Sequence, residues 1–113
     1  MMRLPVVQGV YFLLTGIWPL ISMRTFEAVT GAKVDRWLVK TVGVLVAVMG
    51  ASLTLAERHP SPAVTTLAVG GAAGLGAIDT IYAARGRISR VYLLDAVLEA
   101  ALVGAWVLAL RRR

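Results

Sequence analysis

The sequence predicts an all-α membrane protein, a polytopic four-helix bundle in a single domain over residues 1–113, and three observations carry that prediction. Hydrophobic residues make up 58% of the chain and charged residues 16%, with a mean hydropathy of +0.78. That leaves too little polar sequence to clothe a small soluble core. The charges fall in clusters between four apolar runs. Each run is close to the roughly 20 residues that a helix needs to cross the hydrocarbon, and none alternates as a membrane strand would.

The first span, residues 4–23, carries no charge. Arg3 followed by an apolar stretch fits the start of a secretory signal, but residues 18–23 offer no small-x-small cleavage site, so a retained helix is expected. Pro19 withdraws a hydrogen bond from the Thr15 carbonyl and should kink this span. The second span, 37–56, has Lys40 near its start. The third, 62–84, holds Asp79, and the fourth, 91–110, holds Asp95 and Glu99. In the connection 24–36, Thr25 is expected to cap a short interfacial turn over 26–29 that ends at Thr30 and Gly31. Ser61 and Pro62 suit the N-cap and first position of the third helix. Gly86 suits a helix C-cap, and Ser89 is expected to cap the fourth helix. Gly70 and Gly74 form a GxxxG, while Gly43, Ala47 and Ala51 make a small stripe. These are expected to bring the second and third spans together or to form a dimer face.

Much chemistry is excluded. The chain has no Cys and one His, His59, in a turn. It therefore lacks disulfides and a thiolate metal site, and it shows no Ser-His-Asp set, zinc motif or nucleotide fingerprint. The Gly-rich stretch lies inside a span and lacks the Lys-Ser/Thr ending of a phosphate loop. No catalytic residue, metal ligand or cofactor is assigned. The net charge of +6 and the terminal arginines need no nucleic acid, because basic juxtamembrane residues anchor to anionic headgroups. The expected partners are the lipid bilayer and either a second copy or a larger membrane complex. Seven Lys and Arg (Arg24, Lys33, Arg36, Lys40, Arg85, Arg87, Arg90) face five (Arg3, Arg58, Arg111, Arg112, Arg113) across the bilayer. This weak bias favours loops 24–36 and 85–90 in the cytoplasm and both termini outside, and it is small enough for dual insertion.

Four ionisable groups fall within the spans: Lys40, Asp79, Asp95 and Glu99. Such groups are costly in hydrocarbon, face the bundle interior and mark function. Asp95 and Glu99 share a face of the fourth helix. Chain direction brings all four groups into the half of the bundle beneath the two basic loops. The first span adds a polar stripe of Gln8, Tyr11, Thr15, Trp18 and Ser22. The candidate ligand- or ion-binding set is therefore Glu99, Asp95, Asp79, Lys40 as internal counter-ion, Tyr82, Tyr92, Trp18 and Gln8. Two plainer readings stand beside it. Lys40, Arg85 and Arg90 would neutralise the acids in a structural network, and the aromatics, Trp37 above all, would belong to interfacial belts.

The Gly9 to Gly16 stretch, the Gly43/Gly50 pair and the segments 18–31 and 35–43 resemble small bacterial four-helix membrane proteins of uncharacterised families, DoxX-like in general layout. The resemblance covers about the first half of the chain and implies a multi-pass plasma-membrane protein, with no activity to carry over. The size is also similar to small multidrug-resistance transporters, but those place a carboxylate in the first helix, where this chain has none. Three functions follow as expectations: binding of a ligand or ion in a polar half-pocket, with cation- or proton-coupled transport; a non-catalytic accessory subunit; or an intramembrane lipid-modifying enzyme using Asp95 and Glu99.

Overall fold

Lipid offers no hydrogen-bond partner to the backbone, so apolar runs of this length must satisfy themselves as helices. In the computed structural model, which describes residues 3–57 and 59–112, they form α1 (Leu4–Ile21), α2 (Met23–Thr30), α3 (Arg36–Thr54), α4 (Pro62–Ala84) and α5 (Tyr92–Arg111). All but α2 are long and apolar enough to cross a membrane. The long axis of 44 Å matches a bilayer with its headgroup layers, about 40–45 Å. Between 11% and 33% of each apolar window is buried inside the molecule. Leu45, Val48, Leu94, Val97 and Leu108 are among the large side chains left outside, a surface suited to lipid and not to water. Arg58 and Arg113, counted above for sidedness, lie outside the described residues.

The helix ends follow local chemistry, with two corrections to the expected caps. Ser22, not Thr25, caps α2: its hydroxyl accepts the Thr25 amide at 3.3 Å. Thr25 is free to receive the Trp18 indole N–H at 2.9 Å instead, and the helix begins earlier than expected, at Met23. Ser89 does not cap α5 directly. It accepts the Val91 amide at 3.2 Å and closes the turn before the helix, so α5 starts at Tyr92 without a side-chain cap. Ser61 caps α4 through the Val64 amide, with Pro62 next. At the other end Gly86, at φ +71°, lets its amide reach Ala83 O at 3.1 Å and that of Arg87 reach Tyr82 O at 2.9 Å. This paired closure needs the left-handed conformation that glycine takes freely.

The main packing contact joins α1 to α3. Gly9 and Gly16 are two turns apart on α1, and Gly43 and Gly50 are two turns apart on antiparallel α3. A Cβ at Gly9 would stand 2.7 Å from Gly50 O, and one at Gly50 would stand 2.7 Å from Gly9 O. Gly16 and Gly43 repeat the same reciprocal 2.7 Å approach. Backbone therefore lies on backbone at two levels, which only glycine permits. The α3 stripe expected against the third span is used here instead, and α3 meets α4 over a much smaller area. Gly70 and Gly74 have no other helix within 4 Å of where a Cβ would sit, so this GxxxG packs against nothing among the described residues. α4 and α5 form the second hairpin.

α2 straps the loop end of the bundle. Phe26 meets Trp18 edge-on at 5.3 Å, and the Lys33 ammonium lies 4.7 Å above the Tyr92 ring at the start of α5. Glu27 accepts the Lys33 amide at 2.7 Å and pairs with Arg36 at 2.9 Å. The Lys33 amide, followed by Arg36, holds the Glu27 carboxyl below its usual range.

Two predictions follow from this packing. Gly50→Ala should destabilise the folded protein in detergent by about 1–3 kcal/mol or more, as overpacking against backbone does, whereas Gly74→Ala should change it by less than about 0.5 kcal/mol; thermal melts of the two variants compare them. For Glu27, a lowered folded-state pKa means its contribution is complete above its unfolded value, about 4.3. It is lost as pH falls through the lowered folded value. Exchange of the Lys33 amide should thus be protected near neutral pH and released only in acid, below the usual carboxylate range, and Glu27→Gln should abolish that pH step.

Candidate intramembrane carboxylate site

The α4–α5 hairpin creates the site through chain reversal. Asp79 lies about one and a half turns before the end of α4, while Asp95 and Glu99 occupy the first two turns of α5. Antiparallel neighbours joined by a short turn therefore carry all three at one level. Gly76 lets α5 come close: a Cβ there would lie 3.1 Å from the Glu99 Cβ. The result is a convergence of acids, with one carboxylate oxygen each from Asp79, Asp95 and Glu99 all within 4.8 Å of one another. Glu99 is 1% exposed and Asp79 6%.

α1 completes the wall. The Tyr11 hydroxyl donates to Asp95 Oδ1. One turn earlier, Gln8 links three helices: its Nε2 donates to Ala68 O of α4 at 2.9 Å, and its Oε1 accepts the Trp106 indole N–H of α5 at 2.6 Å. This clasp sets the register of α1 against the hairpin and so aims Tyr11 at the acids. Phe12 and Leu53 pack beside it with Ala68 and Trp106 as the apolar core.

Of the eight residues chosen from the sequence, Asp79, Asp95 and Glu99 come together and the other five lie elsewhere. Lys40, expected as the internal counter-ion, is exposed, because α3 packs on α1 and carries it away from the acids. Tyr82 lies at the surface with the Arg85 guanidinium 6.0 Å from its ring. Tyr92 receives Lys33, and Trp18 ties down α2. Gln8 is consumed by its two partners. Tyr11 was visible in the polar stripe as the residue three after Gln8 but was not among the chosen ligands. Gly76 gave no signal, since nothing distinguishes it from the other membrane glycines until its neighbour is known.

The electrostatics are unbalanced. Among the described residues the three acids form no ion pair with Lys, Arg or His; the recorded pair is Glu27–Arg36, at the strap. The neutralising network with Lys40, Arg85 and Arg90 is therefore absent among them. Of three buried side-chain oxygens without a partner among the described residues, two are Asp79 Oδ2 and Glu99 Oε1. The third, Thr65 Oγ1, lies about four turns away along α4. Three carboxylates out of water require compensating positive charge, which protons or a bound cation would supply. Two cavities at the molecular surface lie away from the acids. One of about 420 Å³ is lined by Met23, Arg24, Glu27 and Arg36, and one of about 330 Å³ lies by Leu55, Pro60 and Val64.

Comparison with protein-family models, curated proteins and solved structures gives no match. The chemistry of this chain thus rests on its own residues.

The clasp generates a prediction. Gln8→Leu leaves the Trp106 N–H buried and unpaired and should cost about 1–2 kcal/mol. Adding Trp106→Phe to Gln8→Leu should cost less than the two single changes summed, a coupling measurable by a double-mutant cycle on stability in detergent.

Proposed function

We propose that the protein binds a small cation among Asp79, Asp95 and Glu99 and carries it across the membrane. The observation that bears this reading is a set of three converging carboxylates, two of them nine-tenths buried, with no cationic side chain paired to them among the described residues. A structural network would be expected to contain its own counter-charge, because unpaired buried charge is strongly destabilising. The acids lie in the half of the bundle nearest the strap, on the side that α2 and Lys33 cover. A cation entering between α2 and the start of α5 would pass the Tyr92 ring before reaching Asp95, one turn further on. The surroundings support a bare ion more than an organic substrate, because Glu99 is almost completely enclosed.

Transport is tested with the purified chain in liposomes, using radiolabelled Na⁺, K⁺, Ca²⁺ and Mn²⁺ as separate probes. Uptake of at least one is expected, falling to the level of protein-free vesicles in Glu99→Gln. Lys40→Gln, remote from the acids, should leave uptake unchanged. Equal uptake by wild type and Glu99→Gln, with both proteins folded and inserted, would remove the site from the mechanism. Movement of protons alone would reassign it to proton transfer.

A further inference from the structure

Building on the cation reading, we infer that the site selects a divalent cation of calcium size, held directly by carboxylate oxygens after most of its water has been shed. An acidic cluster alone would not support this. Here Glu99 Oε1 and Asp79 Oδ2, on two residues of the cluster, are buried without a partner among the described residues, so acceptor capacity is left open inside the bundle.

Geometry narrows the ion. Three oxygens no more than 4.8 Å apart fit inside a circle of radius at most about 2.8 Å, which is 4.8 Å divided by √3, so one ion can reach all three. Calcium binds oxygen at about 2.3–2.6 Å in irregular geometry, a reach that falls within this bound. Magnesium requires about 2.0–2.1 Å with near-octahedral order and keeps several waters. A site where Glu99 is 1% exposed has little room for that water shell. Three carboxylates offer up to six oxygens, the lower end of calcium's usual number.

Charge and donor type narrow it further. Ionised, the acids carry three negative charges. A monovalent ion would leave two of these uncompensated in a low-dielectric interior, and a divalent ion leaves one. The Tyr11 hydroxyl donates to Asp95 and stabilises part of what remains. All the donors are hard oxygens, with no Cys in the chain and His59 in the loop at the other end of α4. That composition suits calcium or manganese and not a soft metal.

The test uses the full chain in nanodiscs of zwitterionic lipid, so that headgroups add no anionic site. Calorimetric titration with CaCl₂ should show one ion per chain, with affinity lowered about tenfold or more in Asp79→Asn and in Glu99→Gln. Mg²⁺ should bind about tenfold or more weakly than Ca²⁺. Tb³⁺, an oxygen-seeking ion of similar size, should give luminescence on tyrosine excitation that Ca²⁺ quenches by displacement. In Tyr11→Phe most of that luminescence should vanish while calorimetric binding persists, placing the ion beside Tyr11. Binding of Na⁺ that Ca²⁺ does not displace would overturn the divalent assignment and leave the cation reading intact. Binding of neither ion to wild type, with Glu99→Gln more heat-stable than wild type, would remove both. Equal Ca²⁺ binding by all variants would place the ion elsewhere and also overturn the assignment.

Discussion

The contact on which the rest of the structure depends is the crossing of α1 and α3, where Gly9, Gly16, Gly43 and Gly50 lay backbone on backbone. In lipid an apolar side chain gains nothing by leaving its surroundings, so helices associate through close packing and polar contacts. Four glycines in reciprocal register allow that packing twice along one interface. The contact uses one face of α1. The neighbouring face, about a quarter turn away, carries Gln8, Tyr11 and Phe12 and is thereby turned towards α4 and α5. The choice of α1 as the partner of α3 also explains why Lys40 is distant from the acids.

The second hairpin, α4 and α5, is attached to the first through a few specific links. Gln8 bonds to both of its helices, Phe12 fills the core beside Trp106, and Tyr11 reaches Asp95. At the loop end, Lys33 bridges from the strap to Tyr92. Each link is local, so the relative position of the hairpins is set at two depths. The clasp holds one half of the bundle, and the strap closes the other. Between them lie the acids, the least satisfied groups in the interior.

Architecture was legible in the sequence because it follows from composition and run length. The observed helices depart from the expected spans by no more than two residues at either end. Convergence of Asp79, Asp95 and Glu99 could be read from chain direction, since a tight turn between antiparallel helices equates depths counted from that turn. Helix pairing was not legible. Small residues mark both Gly43/Gly50 and Gly70/Gly74 as close-packing surfaces, and nothing local says which partner each will meet. The two-turn spacing of Gly9 and Gly16, matched by that of Gly43 and Gly50, held the answer, but it becomes informative only once antiparallel register is imposed. The error on Lys40 has the same origin: its azimuth around the bundle depends on pairing. Tyr11 and Gln8 were separable from the polar stripe only when their partners, eighty-four and sixty residues away in sequence, came into place.

Two buried polar groups of very different completeness share the helices α1, α4 and α5. In the Gln8 clasp the amide donates once and accepts once, and the indole N–H of Trp106 is used, so folding leaves little desolvation cost behind. Among the acids, acceptors outnumber donors: the Tyr11 hydroxyl reaches one carboxylate, while Asp79 and Glu99 each keep a buried oxygen with no partner among the described residues. Both groups sit in the same apolar setting, so the difference comes from the residues chosen. An amide and an indole can satisfy each other wholly within the fold. Three carboxylates cannot, and a single basic residue directed inward from α3 or α4 would have relieved them. The arginines among the described residues, and Lys40, instead lie at the surface. A bundle of so few polar residues thus completes one buried network and leaves the other short of positive charge among the described residues.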